Sequence, residues 1–292
     1  MHPVVIGRYG CSMTSPTLHA GPEALGIELS ADAWVEDGWL VREVTAPAGL
    51  DGPPGVLQGG FSAGVTMAIA RHADRFGAPV TSIDARLHAP TPLGRTLQAR
   101  VRPSEHAARY LVETRDEDRL LVSAEVELAG HEPAARAYDL LELATVPLPE
   151  AEPQHLFPGC WVCGPEPDHP HGQRIHPRYH RTGEISQPWV ADDELGDDRG
   201  VVDPLVVSAV LDCPSVFACM HEVEALDMAG PLLAGYHLSF YRDAPVMEPL
   251  RTVARFDRAD GRKLFARSAL VDEDGVTYAV AAALQVAVPN DR

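Results

Sequence analysis

The sequence predicts an α+β protein made of two copies of one unit, each a long buried helix wrapped by a curved antiparallel sheet. A recurring spacing is the first reason. Arg95-Thr96 leads to the acidic turn Asp116-Glu117-Asp118, and Arg251-Thr252 leads over the same number of residues to Asp272-Glu273-Asp274. Each span holds strand-like runs and continues past its turn into another, 120–128 in the first copy and 276–286 in the second. Runs of β-branched and apolar residues around acidic or glycine turns are the pattern of antiparallel hairpins. The second reason is that each half carries, upstream of its hairpins, a segment that is apolar nearly all round, as a helix enclosed by a sheet should be.

The remaining elements fall into the same order in both halves. Trp34 to Val41 reads as a strand or hairpin, Gly52-Pro53-Pro54-Gly55 as a loop, and Gly59 to about Phe76 as the first buried helix. In the second half, Gly183 to Val190 takes the strand place and Pro204 to about Glu224 the helix place. Between them, Val146-Pro147-Leu148-Pro149-Glu150-Ala151-Glu152-Pro153 is a connector, because proline removes ladder donors and holds the chain extended. The expected organisation is therefore residues 1–145, a linker over 146–158, and residues 159–292.

Composition fits this size and narrows function. A chain of 292 residues suits two ordinary domains. No apolar run approaches the roughly 20 residues that cross a bilayer. Met1 to Gly7 has neither a basic lead nor a long apolar stretch, so no signal peptide and no membrane partner are expected, and a cytoplasmic location is. A formal charge of −18 argues against non-specific nucleic-acid binding, which needs a basic footprint. A polyanionic ligand would need a local basic patch, and Arg251, Arg255, Arg258, Arg262 and Lys263 form the most basic stretch. The five cysteines (Cys11, Cys160, Cys163, Cys213, Cys219) read as free thiols.

Several residues are candidates for chemistry. Gly59 and Gly60 stand at a helix start, where unpaired amides and a partial positive charge suit an oxyanion and where glycine admits close approach; tight packing of the helix on the sheet is the alternative. Asp212 is an acid inside an apolar segment, which suits a general base or a water-orienting group, or else a cap on a new helical segment before Pro214. Helix-start alignment places Thr66 opposite Asp212, so one site is expected and not two. Gln285 is an amide among alanines and valines, able to donate to a water or a carbonyl, or simply facing outward. His237 could assist as a ligand group, although a lone strand histidine is more often structural. Cys160-x-x-Cys163 with His169, His171, His176 and His180 holds enough ligands for zinc, but the spacing is shorter than in finger-type sites and no second Cys-x-x-Cys follows. A plain loop over a pocket mouth is the preferred reading there, with no metal and no cofactor assigned.

Gln58-Gly59-Gly60-Phe61-Ser62-Ala63-Gly64, followed by Ser82 to Pro90, resembles the first half of double-hotdog acyl-CoA thioesterases. The segment Ala209-Val210-Leu211-Asp212 is similar to the helix position of that family's acid, and Leu284-Gln285-Val286 to the strand position of its glutamine. Cys160-Trp161-Val162-Cys163-Gly164-Pro165 is similar to a lead-in found before some single-hotdog thioesterase domains. The resemblance implies two tandem hotdog domains, an acyl-CoA or related thioester as the small-molecule partner, and hydrolysis by water at a single site built on Asp212 and Gln285. It also implies a hydroxyl residue shortly before Tyr236-His237-Leu238-Ser239-Phe240, where this chain has Ala234 and Gly235. Two other readings are a non-catalytic acyl-thioester or lipid-binding protein and an enoyl-CoA hydratase. Two fused units can supply the pairing that single domains obtain by dimerising, which leaves assembly into a homo-oligomer open.

Overall fold

In the computed structural model, residues 24–130, 138–150 and 156–290 are described. Cys11, the segment Met1 to Gly7 and part of the connector fall outside them. Two helices form the centre. The first, α1 (Gly59–Ala73), is capped by Gln58, whose side-chain oxygen accepts from the Phe61 amide at 3.0 Å. The second, here called α3 (Pro204–Ala218), begins with Asp203 accepting from the Leu205 amide at 2.9 Å and with Pro204 at its first position, where a missing N–H costs nothing. Between them in sequence lies the short α2 (Tyr138–Thr145). The helix predicted to reach Glu224 stops at Ala218, and a separate α4 (Met220–Ala225) follows.

Among the described residues, twelve strands surround the helices. The first half supplies β1 (Glu28–Glu36), β2 (Trp39–Thr45), β3 (Val80–Leu87), β4 (Thr96–Pro103), β5 (Arg109–Asp116) and β6 (Arg119–Leu128). The second supplies β7 (Arg178–Arg181), β8 (Glu184–Trp189), β9 (Met228–Phe240), β10 (Leu250–Asp260), β11 (Lys263–Val271) and β12 (Thr277–Pro289). All join one sheet in the order β1-β2-β4-β5-β6-β3-β9-β12-β11-β10-β8-β7. The order of the first six strands is repeated, reflected, by the last six. The matched spacing noticed in the sequence falls on β4–β5 and on β10–β11. The seam is antiparallel pairing of β3 with β9, with Ile83 opposite Leu238 and Ala85 opposite Tyr236.

Alternation along the strands decides which side meets the helices. In β9, Tyr236, Leu238 and Phe240 are buried while His237 is exposed. One apolar cluster runs through both helices and the inner faces of both halves. A smaller one lies on the opposite face, where Leu140, Leu143 and Ala144 of α2 pack on Val253, Ala269 and Val271 of β10 and β11. Thus α2, which the sequence reading grouped with the first half, rests on second-half strands. No described helix is long and apolar enough to cross a membrane.

The two long helices touch along the glycines of α1. A Cβ on Gly60 would stand 2.7 Å from Ala209 Cα, and one on Gly64 would stand 3.2 Å from Leu205 Cα. As α1 advances α3 recedes, so the helices are antiparallel. Arg71, in the last turn of α1, accordingly pairs with Asp203 at the start of α3 at 3.0 Å. Ser208 donates to the Gly60 carbonyl at 2.8 Å, and the Tyr236 hydroxyl donates to the Ser208 carbonyl at 3.0 Å. Buried polar groups at the contact are thereby matched, as a water-free interior requires.

Candidate functional site

The helix crossing brings Asp212 of α3 against the start of α1. Oδ2 accepts from Gln58 Nε2 at 2.8 Å and from the Gly60 amide at 3.0 Å; Oδ1 accepts from Gln285 Nε2 on β12 at 3.0 Å. The carboxyl is 4% exposed. Burial pushes it from the ordinary carboxylate range up to about 7, against the opposing pull of the Gln285 and Gly60 donors. A buried acid so placed is a common mark of functional chemistry.

Pro214 lies inside α3 and is not a break. The helix continues through it to Ser215, whose hydroxyl donates to the Asp212 carbonyl at 2.8 Å and accepts from Gln285 Nε2 at 3.0 Å. Gln285 is fully buried on the helix side of the sheet, so the outward-facing reading does not apply. Its Oε1 has no hydrogen-bond partner among the described residues. An unpaired buried carbonyl is costly, about 1–3 kcal/mol, and a donor brought by a water or ligand would relieve it.

The predicted site residues divide into two groups. Asp212, Gln285, Gly59 and Gly60 converge. Gly60, however, faces α3 and gives its amide to Asp212, so its missing side chain admits a helix and not a ligand. Thr66 and His237 stay apart from the cluster. Thr66 is buried and donates to the Ala63 carbonyl of its own helix at 2.6 Å. His237 is on the outer face of the sheet beside Ser239, lining an open depression of about 460 Å³ with Asp84, Arg86, Arg109 and Glu125. The two correct for one reason: sequence distance to a helix start or strand says nothing about which face a side chain occupies.

The arginine stretch is largely engaged within the chain. Arg251 donates to the Leu143 and Val146 carbonyls, Arg255 pairs with Glu184 at 2.9 Å, Arg258 stacks on Phe265, and Arg262 reaches the Ala287 carbonyl. No hydroxyl side chain stands at Ala234 or Gly235, and a register shift there sets Leu284 opposite Gly235 and Gln285 opposite Leu233. A Cβ on Gly59 would meet Leu233 Cβ at 2.9 Å and Asp212 Oδ2 at 2.8 Å, so Leu233 covers this end of the cluster.

Sequence reading missed Gln58, Ser215 and Cys213. Gln58 carried a signal, since glutamine is a poor choice at a helix cap and implies another task for its amide. That amide donates to Asp212 while its oxygen caps α1. Cys213 lies beside Cys160, with sulfurs 3.8 Å apart, and Cys163 completes a buried group of three. The loop bearing Cys160 and Cys163 is not a surface cover: Trp161 is fully buried edge-on to Phe61 of α1 and its amide donates to the Asp51 carbonyl at 2.8 Å.

At the sequence level no family model and no curated protein matches the chain. Solved structures do match its fold. A protein from Alicyclobacillus acidocaldarius described as having the hot dog fold superposes with a TM-score of 0.60 at 15% identity, over 93% of this chain and 99% of that one. The fold is the hotdog fold. An acyl-CoA thioesterase II from Mycobacterium marinum aligns with a TM-score of 0.60 at 13% identity, covering 92% of this chain and 98% of that chain. The dehydratase domain of RzxB from Pseudomonas fluorescens aligns with a TM-score of 0.59 at 15% identity, covering 91% and 98% respectively. The structural neighbours of this hotdog chain thus include thioesterase II proteins matched over most of its length, with dehydratase domains sharing the same fold.

Proposed function

We propose that the chain is a tandem pair of hotdog units, divided at the 146–158 linker, that hydrolyses an acyl thioester at one site built on Asp212 and Gln285. The observation that supports this best is the carboxylate of Asp212, buried and held by three donors drawn from both halves. In this reading Asp212 holds a water and takes its proton as the oxygen attacks the thioester carbonyl carbon. The carbon–sulfur bond breaks, giving a carboxylic acid and a thiol. The site is shielded from solvent, where electrostatic interactions with the developing charge act strongly. Gln285 orients the water through its free Oε1 and is itself fixed by Ser215. Coenzyme A esters are the substrate class, and a cytoplasmic place suits them.

A second reading is a non-catalytic acyl-thioester binder, which the near-closure of Asp212 under Leu233 favours. The hydratase reading has less support: no histidine among the described residues bonds to Asp212 or Gln285. Thiol release from short-, medium- and long-chain acyl-CoA, compared between the native chain and Asp212→Asn, tests the proposal. Loss of a general base is expected to lower the rate by about 10² or more. Saturable binding with no release at any chain length would select the binder. Full activity in Asp212→Asn would leave hydrolysis standing and remove this site.

A further inference from the structure

The proposed hydrolysis makes no use of the three buried sulfurs beside it. Cys160 and Cys163 come from a loop of the second half, Cys213 from α3, and their Sγ atoms all lie within 4.8 Å of one another. Zinc–sulfur bonds are about 2.3 Å long, so the edges of a tetrahedral thiolate site measure about 3.8 Å. Cys160 and Cys213 already stand 3.8 Å apart. The group therefore has the separation of ligands around an ion, well beyond a disulfide bond of about 2.05 Å.

The backbone that carries Cys160 and Cys163 is tightly turned. Gly164 donates to the Cys160 carbonyl at 2.8 Å, and a Cβ there would sit 2.6 Å from both the nitrogen and the oxygen of Cys160, so the turn after Cys163 has room for glycine alone. From the other half of the molecule, Gln58 Nε2 approaches the Cys213 sulfur at 3.7 Å. Donors aimed at sulfur orient and stabilise thiolate ligands. Sulfurs that merely filled an apolar core would gain nothing from them.

We propose that Cys160, Cys163 and Cys213 form a three-thiolate site for a thiophilic divalent cation, zinc, which fastens the Cys160–Cys163 loop to α3. Binding replaces the three S–H protons, released to solvent, by three metal–sulfur bonds, and no oxidation state changes. Three protein ligands leave a fourth position for water or a small ligand. Sulfur-only donors favour zinc over the oxygen-seeking cations magnesium and calcium.

The test uses the full chain, produced with zinc and kept reduced. Elemental analysis should find about one zinc per chain, and chelation should lower the melting temperature reversibly. Cobalt(II) added to the stripped protein should give the near-ultraviolet thiolate-to-cobalt charge-transfer band, with an intensity for three thiolates, displaced by zinc. Cys163→Ser should reduce that band by about one third and weaken retention of metal; Cys219→Ser, which alters a buried thiol outside the group, should leave both unchanged. Absence of bound zinc after loading, or a cobalt spectrum without the band in the native chain, would overturn the proposal. So would a Cys160–Cys213 disulfide in protein isolated under reducing conditions. The cobalt result on the native chain decides even where the cysteine variants fold poorly.

Discussion

Gly60→Ala probes the contact on which the helix pair depends. The added methyl would lie 2.7 Å from Ala209 Cα, where ordinary contacts begin at about 3.4 Å. The helices must part by several tenths of an ångström along their tightest crossing. Overpacking of this kind costs about 1–3 kcal/mol. Stretching the Gly60 amide away from the Asp212 carboxylate adds roughly 1–2 kcal/mol, and the better helix propensity of alanine returns at most about 1. The net loss is about 3 kcal/mol. Unfolding entropy of about 2.1 cal/mol/K per residue over 292 residues gives roughly 0.6 kcal/mol/K, so the melting temperature should fall by about 5 °C. Calorimetry of the purified variant measures it, with Gly130→Ala as a control, since among the described residues a methyl there meets nothing within 4 Å. A Gly60→Ala chain melting within about 1 °C of the native one would refute the close crossing and with it the route by which Gly60 reaches Asp212.

Two further outcomes follow from other contacts. Leu233→Thr clears the isobutyl group from Gly59 and sets a hydroxyl opposite Gln285, so the rate of thiol release should rise by about tenfold, as a well-placed donor allows; an unchanged or lower kcat/KM would show that Leu233 lines the acyl slot instead. Glu184 is held below the usual carboxylate range chiefly by its hydrogen bond from Arg181, with Arg255 adding to it against burial. A depressed acid contributes stability above its unfolded value near 4.3 and loses it as pH falls through the depressed one. Glu184→Gln should therefore be less stable than the native chain at neutral pH and converge with it in acid, and a stability gap constant from pH 7 to pH 3 in denaturant melts would contradict this ion pairing.

What the sequence disclosed was governed by local pattern. The repeated spacing from Arg95 and from Arg251 works because hairpin lengths are written in consecutive residues, and β4–β5 and β10–β11 lie where it places them. The helix at Gly59 was legible from its unbroken apolar face. Asp212 and Gln285 stood out as polar residues in apolar company, and the structure joins them. Their partners were hidden because no local rule connects Gln58 with Asp212, or Cys160 with Cys213, across the helix crossing. The cysteines were weighed against nearby histidines, yet the third thiol comes from α3. His237 misled because alternation fixes which side of a strand a residue faces only once the register is known, and here it faces out.

The seam between β3 and β9 bears on how such a chain can evolve. Each half supplies what the other lacks: α1 gives its cap glutamine and an amide, α3 gives the acid, and the joined sheet holds them in one frame. The two halves of the chain are therefore not interchangeable at the cluster. On α1, Thr66 donates to the Ala63 carbonyl of its own helix, whereas a side chain gained at Gly60 would strike the second helix. Substitution is therefore constrained position by position along one helix, most tightly where it crosses the other.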